Sequence, residues 1–178
     1  MQTNQLRKLT TGAVMAAVIF VVTWLVRVPV PVSGGAYLNL GDAAVFVCVF
    51  AAGGPAAAAA AAAGSGLADL AAGAPLYVLP TLLIKAAMAV AASGPMRRRS
   101  FWGYLTGCIA GGAVMTAGYG LFEWLLFDAA YALASLPFNL LQWAGSVLAA
   151  GALYEAARRL AGVVRGRSGG SAHSRTVS

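Results

Sequence analysis

The sequence predicts an all-α integral membrane protein, a six-transmembrane-helix bundle with both termini in the cytoplasm. Of its 178 residues, 60% are hydrophobic and only 10% are charged, and the mean hydropathy is +0.78. Soluble domains are about one quarter charged, so this composition is typical of a membrane protein. At about 20 apolar residues per span, the chain has room for about six spans and for little else.

Proline and glycine divide the apolar sequence into its predicted helices. Helix 1 is predicted from Leu6 to Arg27, and a Pro- and Gly-rich segment follows it at residues 28–35. Helix 2 is predicted from Asn39, a residue that can cap a helix, to Gly53. Helix 3 opens at Pro55 and ends near Gly73, and its run of alanines at residues 56–63 predicts close packing of neighbouring backbones.

The second half of the chain is divided in the same way. Helix 4 is predicted from Pro80 to the Gly-Pro pair at residues 94–95, and helix 5 from Phe101 to Phe127. A loop is predicted at residues 128–136, before helix 6 runs from Pro137 to Leu160. We therefore assign residues 1–162 to the transmembrane domain and residues 163–178 to a basic, Gly- and Ser-rich disordered tail.

The basic residues indicate the orientation of this bundle. The net charge of +7 would suit a nucleic-acid-binding protein, but ten of the twelve Lys and Arg residues, all except Arg27 and Lys85, flank spans or lie in the tail. With six spans they fall on the side of the two termini, and the opposite side holds only Arg27. The positive-inside rule places that basic side in the cytoplasm.

Four charged residues interrupt the predicted spans: Asp42, Asp69, Lys85 and Glu123. Charges inside a span are costly, so they usually face a bundle interior or a water-filled cavity and mark a functional site. Counted from the predicted helix ends, they lie at one level of the outer leaflet, together with Asn139 and Gln142 of helix 6. This convergence predicts a polar pocket that opens outward.

Structural roles remain open for several of these residues. Asp42 fits the acidic position of a capping box at the start of helix 2. Asp69 is the predicted partner of Lys85 in a buried ion pair, and Lys85 could instead extend along its own stem towards water. Asn139 and Gln142 could join helices to one another by hydrogen bonds.

The sequence offers little for catalysis, cofactors or metals. No phosphate-binding loop motif and no His-Glu-x-x-His motif occurs, and the single histidine, His173, lies in the tail. Cys48 and Cys108 lie within predicted spans and are expected to be buried thiols. We expect no enzyme activity, no catalytic residues, no cofactor and no metal site, so the pocket is expected to capture a ligand.

A possible docking surface lies on helix 1. Ala13 and Ala17 are four residues apart, and small residues at this spacing let a partner helix approach closely. Such spacing arises readily in a chain rich in alanine, so the pattern alone is a weak signal.

Four motifs resemble one membrane-protein family. The segments Tyr37–Asp42, Gly64–Asp69, Pro80–Lys85 and Pro137–Gln142 resemble, in this order, segments of the substrate-binding (S) components of energy-coupling-factor (ECF) transporters of the riboflavin/hydroxymethylpyrimidine type. The resemblance spans about residues 10 to 160. The segment after Lys85, which reads Ala-Ala-Met-Ala, departs from the Gly-x-x-Glu-like pattern of related chains.

The resemblance implies a function and partners. It implies a multi-pass protein of the bacterial plasma membrane that captures a small vitamin or precursor on the outer side beneath a long first loop. Hydroxymethylpyrimidine, a pyridoxine-like vitamer and riboflavin all remain open as ligands. It also implies a complex with a transmembrane coupling subunit and two ABC-type ATPases, with Ala13 and Ala17 at the contact. The expected ligand contacts are Tyr37, Asn39, Lys85, Glu123, Asn139 and Gln142.

Two other functions would account for the same composition. A non-catalytic membrane scaffold predicts that the polar residues of the pocket tolerate apolar replacement. A small intramembrane enzyme is the less favoured alternative, because no pair of nucleophile and base is apparent.

Overall fold

The computed structural model of the chain describes residues 2–29 and 37–169. They form helices and one short antiparallel ribbon in which Arg27 pairs with Asn39 and Pro29 with Tyr37. The elements in chain order are α1 (Gln2–Leu25), β1 (Arg27–Pro29), β2 (Tyr37–Asn39), α2 (Gly41–Ala52), α3 (Gly54–Ala71), α4 (Pro75–Met96), α5 (Phe101–Leu126), α6 (Ala129–Ala152) and α7 (Tyr154–Gly169).

Length and apolarity identify the helices that can cross a membrane. Four of the described helices, α1, α4, α5 and α6, are long and apolar enough to do so. The all-α membrane class is therefore confirmed. The described residues contain seven helices, because α6 ends at Ala152 and α7 begins at Tyr154.

The short helix α2 lies at the centre of the bundle. Ten of its twelve residues are buried, and it contacts each of the other six described helices. Phe46 and Phe50 of α2 are fully buried, and the Phe50 ring packs edge-on against Tyr104 of α5 with 5.0 Å between the ring centroids. A helix enclosed by protein needs only enough length to fill the core, which accounts for its 12 residues.

Small residues bring α1 and α3 together, as the run of alanines predicts. Ala57, Ala60 and Ala61 of α3 are buried. At Gly64, an added Cβ would lie 2.5 Å from the backbone oxygen of Ala16 in α1. Only glycine permits so close an approach, and this packing lets van der Waals contact hold the two helices together.

Two predicted helix starts are wrong. Helix α4 begins at Pro75 rather than Pro80, and α6 begins at Ala129 rather than Pro137, so the predicted loop at residues 128–136 is mostly helix. Asp128 caps α6 by accepting a hydrogen bond from the backbone N–H of Tyr131 at 2.7 Å. An internal proline removes one backbone hydrogen bond, and membrane helices tolerate this loss.

The predicted start of the tail also differs from the structure. Helix α7 continues to Gly169, so residues 163–169 are helical rather than disordered. The rest of the predicted tail, including His173, and the turn of the first loop at residues 30–36 lie outside the described residues.

Candidate functional site

A small polar cavity lies at the end of the bundle where α2 begins and α3 ends. Its volume is about 50 Å³, which is space for a few water molecules. Five elements contribute its lining, namely β2, α3, α4, α5 and α6. The lining residues are Tyr37, Asn39, Asp69, Tyr77, Thr81, Tyr119, Glu123, Asn139 and Gln142. We call this space the polar pocket.

A buried ion pair lies beside the polar pocket. Lys85 of α4 donates a hydrogen bond to Asp42 of α2, and the two residues are only 2% and 1% exposed. The second oxygen of Asp42 accepts a hydrogen bond from Gln142 Nε2 at 2.9 Å. Lys85 is halfway along α4 and does not line the pocket, because Asp42 occupies its ammonium group.

The ion pair is connected to the first loop through Gln142. The Gln142 Oε1 atom accepts a hydrogen bond from the backbone N–H of Asn39 at 3.0 Å. The Asn39 side chain in turn accepts a bond from the backbone N–H of Gly41 at 2.8 Å. One chain of polar contacts therefore joins α4, α2, α6 and β2.

A second contact holds β2 from the other side. The Tyr37 hydroxyl donates a 2.5 Å hydrogen bond to Asp69 Oδ1 at the end of α3. Burial, and then the nearby Asp69 carboxyl, raise the pKa of Tyr37 well above its ordinary value. The phenol therefore stays protonated and remains a donor at neutral pH. The strand that enters α2 is thus attached to both α3 and α6.

Glu123 reaches the pocket from the last turns of α5, and its hydrogen-bond partners among the described residues are neutral. Ser135 Oγ donates to one carboxylate oxygen at 2.5 Å, and the Tyr77 hydroxyl donates to the other at 3.3 Å. Tyr77 also lies 3.2 Å from the Tyr131 hydroxyl. Across the pocket, Thr81 and Tyr119 share a 2.7 Å hydrogen bond.

Two buried polar atoms at the pocket make no hydrogen bond within the described residues. They are the Asp69 Oδ2 oxygen, an acceptor, and the Asn139 Nδ2 nitrogen, a donor. A buried polar atom without a partner costs about 1–3 kcal/mol. A ligand or water that supplies both partners would therefore bind favourably here.

Most of the predicted ligand contacts come together. Tyr37, Asn39, Glu123, Asn139 and Gln142 all line the polar pocket, and only Lys85 does not. The roles of two acidic residues differ from the prediction. The partner of Lys85 is Asp42 rather than Asp69, and Asp42 makes no side-chain cap at α2.

The depth of several groups also differs from expectation. Gln142 and Asn139 lie about three turns into α6 rather than in its first turns, because the helix starts eight residues earlier. Ser135 was not predicted because it fell in the supposed loop. Tyr77 and Thr81 lie eight and four residues before Lys85, and this spacing places all three on one face of α4.

The predicted docking residues lie on the opposite side of α1 from the core. Ala13 and Ala17 are exposed, whereas Met15 and Ile19 of the same helix are buried at 5% and 0% exposure. The exposed side chains of such a helix face lipid or a partner.

Known proteins resemble this chain over most of its length. The family model for the S component of ECF-type riboflavin transporters matches residues 3–159. The chain belongs to this family. An S component is a multi-pass membrane protein with a transport function, so the chain is the S component of an ECF-type transporter.

Individual relatives agree with this assignment. The thiamine precursor transporter HmpT of Lactococcus lactis is 29% identical over 142 residues, which cover 80% of this chain and 82% of HmpT. An uncharacterized protein in the gap 3′ region of Pyrococcus woesei is 32% identical over 75% of this chain and 89% of its own length. The solved S component of a bacterial ECF transporter has the same fold, with a TM-score of 0.71 and 22% identity over 90% of this chain and 98% of that one.

Proposed function

We propose that this S component captures a single-ring nitrogen heterocycle of the thiamine-precursor class in the polar pocket. The unpartnered Asp69 oxygen and Asn139 amide nitrogen carry this proposal. An aminopyrimidine presents the complementary pair on one edge, since its amino group donates and its ring nitrogen accepts. The relative HmpT, a thiamine precursor transporter, supports the same class of ligand.

The size and walls of the pocket also favour a small flat ligand. Its 50 Å³ is below the roughly 300–1,000 Å³ of common ligand sites, so one ring requires less movement of the walls than a three-ring flavin. Tyr37, Tyr77 and Tyr119 provide aromatic surface for stacking. Riboflavin is the second candidate, because the matching family model is described by that vitamin.

The ligand's amino group has two N–H donors, and we propose that it donates one to the unpartnered Asp69 oxygen and the other to the carboxyl of Glu123. We expect Glu123→Gln to weaken binding of hydroxymethylpyrimidine by well over tenfold, because the amide replaces an acceptor oxygen with a donor. Isothermal titration of the purified protein against hydroxymethylpyrimidine, pyridoxine and riboflavin measures the effect and ranks the ligands. Glu155→Gln, at an exposed carboxyl of α7, is the matched control.

The outcomes separate the candidate functions. Unchanged binding by Glu123→Gln removes Glu123 from the site, and tightest binding of riboflavin replaces the proposed ligand. Absence of binding for all three compounds, in a folded protein, would mean that the ligand of this S component belongs to another class.

We further propose that the chain crosses the membrane six times through α1–α6, with both termini in the cytoplasm and the polar pocket facing outward. This orientation puts Arg7, Lys8 and the arginines at residues 97–99 on the inner side, as the positive-inside rule requires. The chain then assembles with a transmembrane coupling subunit and two ABC-type ATPases, which supply the energy for uptake.

The exposed alanines of α1 are the proposed contact with the coupling subunit. We expect the double substitution Ala13→Trp/Ala17→Trp to abolish co-purification with the coupling subunit while leaving ligand affinity within twofold. Val14→Trp/Val18→Trp is the matched control, because these residues are also exposed on α1 but on a different face. Retained assembly with tryptophan at both alanines contradicts the assignment of this face.

A further inference from the structure

A second cavity lies at the opposite end of the bundle. Its volume is about 220 Å³, and it is bounded by the α2–α3 junction, the end of α4, the α4–α5 turn and α7. The lining residues are Val49, Ala52, Gly53, Gly54, Ser93, Met96, Arg97, Arg99 and Arg165. We call this space the arginine cavity.

The α2–α3 junction provides a wall without side chains. Gly53 and Gly54 both have positive φ, at 63° and 62°, a conformation that other residues rarely adopt. Helix α3 begins there with no side-chain cap on its first backbone N–H groups. The positive end of α3 meets the negative ends of α2 and α4 at this cavity, so the arginine side chains rather than the helix ends give it its positive charge.

Two of the three arginines are held in place by α2. Arg99 donates to the Phe50 carbonyl and lies 4.9 Å from the Phe50 ring, and Arg165 donates to the Ala51 carbonyl at 3.2 Å. A guanidinium has five N–H donors, so each retains several. Carbonyl groups are neutral and leave the positive charges uncompensated.

No acidic side chain of the protein balances these cations. The chain has five acidic residues. Asp42, Asp69 and Glu123 belong to the polar pocket or its ion pair, and Asp128 caps α6 at that same end. Glu155 lies within 4 Å of Arg158 and Arg159 instead. The arginine cavity therefore has the chemistry of an anion site with no anion supplied by the side chains of the chain.

Exposed aromatic residues beside the cavity indicate its level in the membrane. Phe101 and Trp102, which start α5 directly after the arginines, are 41% and 71% exposed. Exposed tryptophan at the end of a membrane helix is typical of the headgroup region. The anions concentrated at that level are lipid phosphates.

We propose that the arginine cavity binds the phosphate group of an anionic phospholipid from the leaflet at this end of the bundle. Basic recesses between membrane helices are suited to such headgroups. The fixed guanidinium groups of Arg99 and Arg165 bracket the site, and Arg97, whose side chain makes no hydrogen bond or ion pair within the described residues, completes it.

Native mass spectrometry of the purified, delipidated full chain tests this proposal. Phosphatidylglycerol is titrated against phosphatidylcholine of the same acyl chains, and inorganic phosphate forms a separate arm. We expect phosphatidylglycerol to bind at least tenfold more tightly than phosphatidylcholine. Arg97→Gln should weaken it about fivefold, equivalent to about 1 kcal/mol for one basic residue near a headgroup.

Arg97→Gln is chosen because it removes no contact that holds α2. The double variant Arg97→Gln/Arg165→Gln should lose more affinity for phosphatidylglycerol. The control is Arg158→Gln/Arg159→Gln, which removes two exposed arginines from the same end. Equal losses in variant and control indicate general surface attraction and overturn the proposal. Binding of inorganic phosphate without preference for phosphatidylglycerol assigns the site to a soluble anion and also overturns the lipid assignment. If Arg97→Gln keeps its lipid affinity but no longer binds the coupling subunit, the arginines belong to a contact with a protein partner. This outcome also overturns the lipid assignment.

Discussion

Replacing Lys85 with methionine removes the cation of the buried ion pair and leaves Asp42 as a carboxylate that is 1% exposed. Methionine keeps most of the length of lysine, so the change tests charge rather than packing. Breaking a buried pair by removing one partner costs about 3–5 kcal/mol. Gln142 still donates to Asp42, which places our expectation towards the lower end of that range.

The expected loss is large enough to measure by thermal unfolding in detergent. For a chain of this size, 1 kcal/mol corresponds to about 2–4 °C, so we expect the melting temperature of Lys85→Met to fall by roughly 6–12 °C. The double variant Lys85→Met/Asp42→Asn should recover most of this loss, because it removes the unpaired charge as well as its partner.

Two results would refute this reasoning. A decrease of less than about 2 °C in the melting temperature of Lys85→Met would mean that the pair is not buried and coupled as described. A double variant less stable than the single variant would mean that Asp42 contributes through contacts other than Lys85. Ligand affinity separates the predicted contact role of Lys85 from its structural role: a folded double variant with unchanged affinity excludes direct ligand contact by the ammonium group.

Two further predictions concern packing and the first loop. Gly112→Ala should lower the free energy of unfolding by about 1–3 kcal/mol, since its Cβ would lie 1.9 Å from Trp143. The control is Gly145→Ala, which should not destabilise the protein because no atom lies within 4 Å of its Cβ. Equal unfolding midpoints for the two variants would contradict this packing. Tyr37→Phe should speed amide hydrogen exchange in β2 about tenfold, because the hydrogen bond to Asp69 is worth about 1–3 kcal/mol. Exchange at the wild-type rate would mean that this bond does not hold the strand.

Helical spacing was sufficient to predict most of the polar pocket. Glu123 stands out because a charge deep in an apolar span must face the interior, and Asn139 and Gln142 share one face of their helix. These inferences depend on the period of the helix and on burial, which are local properties. They hold even where the predicted start of the helix is wrong.

Absolute depth and pairing were not predictable in the same way. The sequence predicts the start of helix 4 five residues late, at Pro80, so Lys85 appears shallow and Asp69 appears to be its partner. In the structure Lys85 is halfway along α4 and pairs with Asp42. Proline favours the first turn of a helix in soluble proteins, whereas membrane helices tolerate it in their interior, as at Pro80 and Pro137.

The distribution of charge connects the two ends of the protein. At the polar pocket, Asp42 is paired with Lys85, while Asp69 accepts a hydrogen bond from Tyr37 and Glu123 accepts hydrogen bonds from Ser135 and Tyr77, all of which are neutral. Two carboxyl groups without a cation favour a ligand that donates hydrogen bonds or carries positive character.

The opposite end has the reverse imbalance, since Arg97, Arg98, Arg99 and Arg165 have no acidic partner among the described residues. An excess of arginine fixes one end of a bundle to the anionic leaflet and resists its transfer across the membrane. In the orientation that we propose, this imbalance would keep the ligand-binding end directed outward, and the proposed partners would supply the energy for any reorientation. Neutralising the arginines should therefore weaken the orientation of the bundle without altering the polar pocket, because no described hydrogen bond joins the two sites directly.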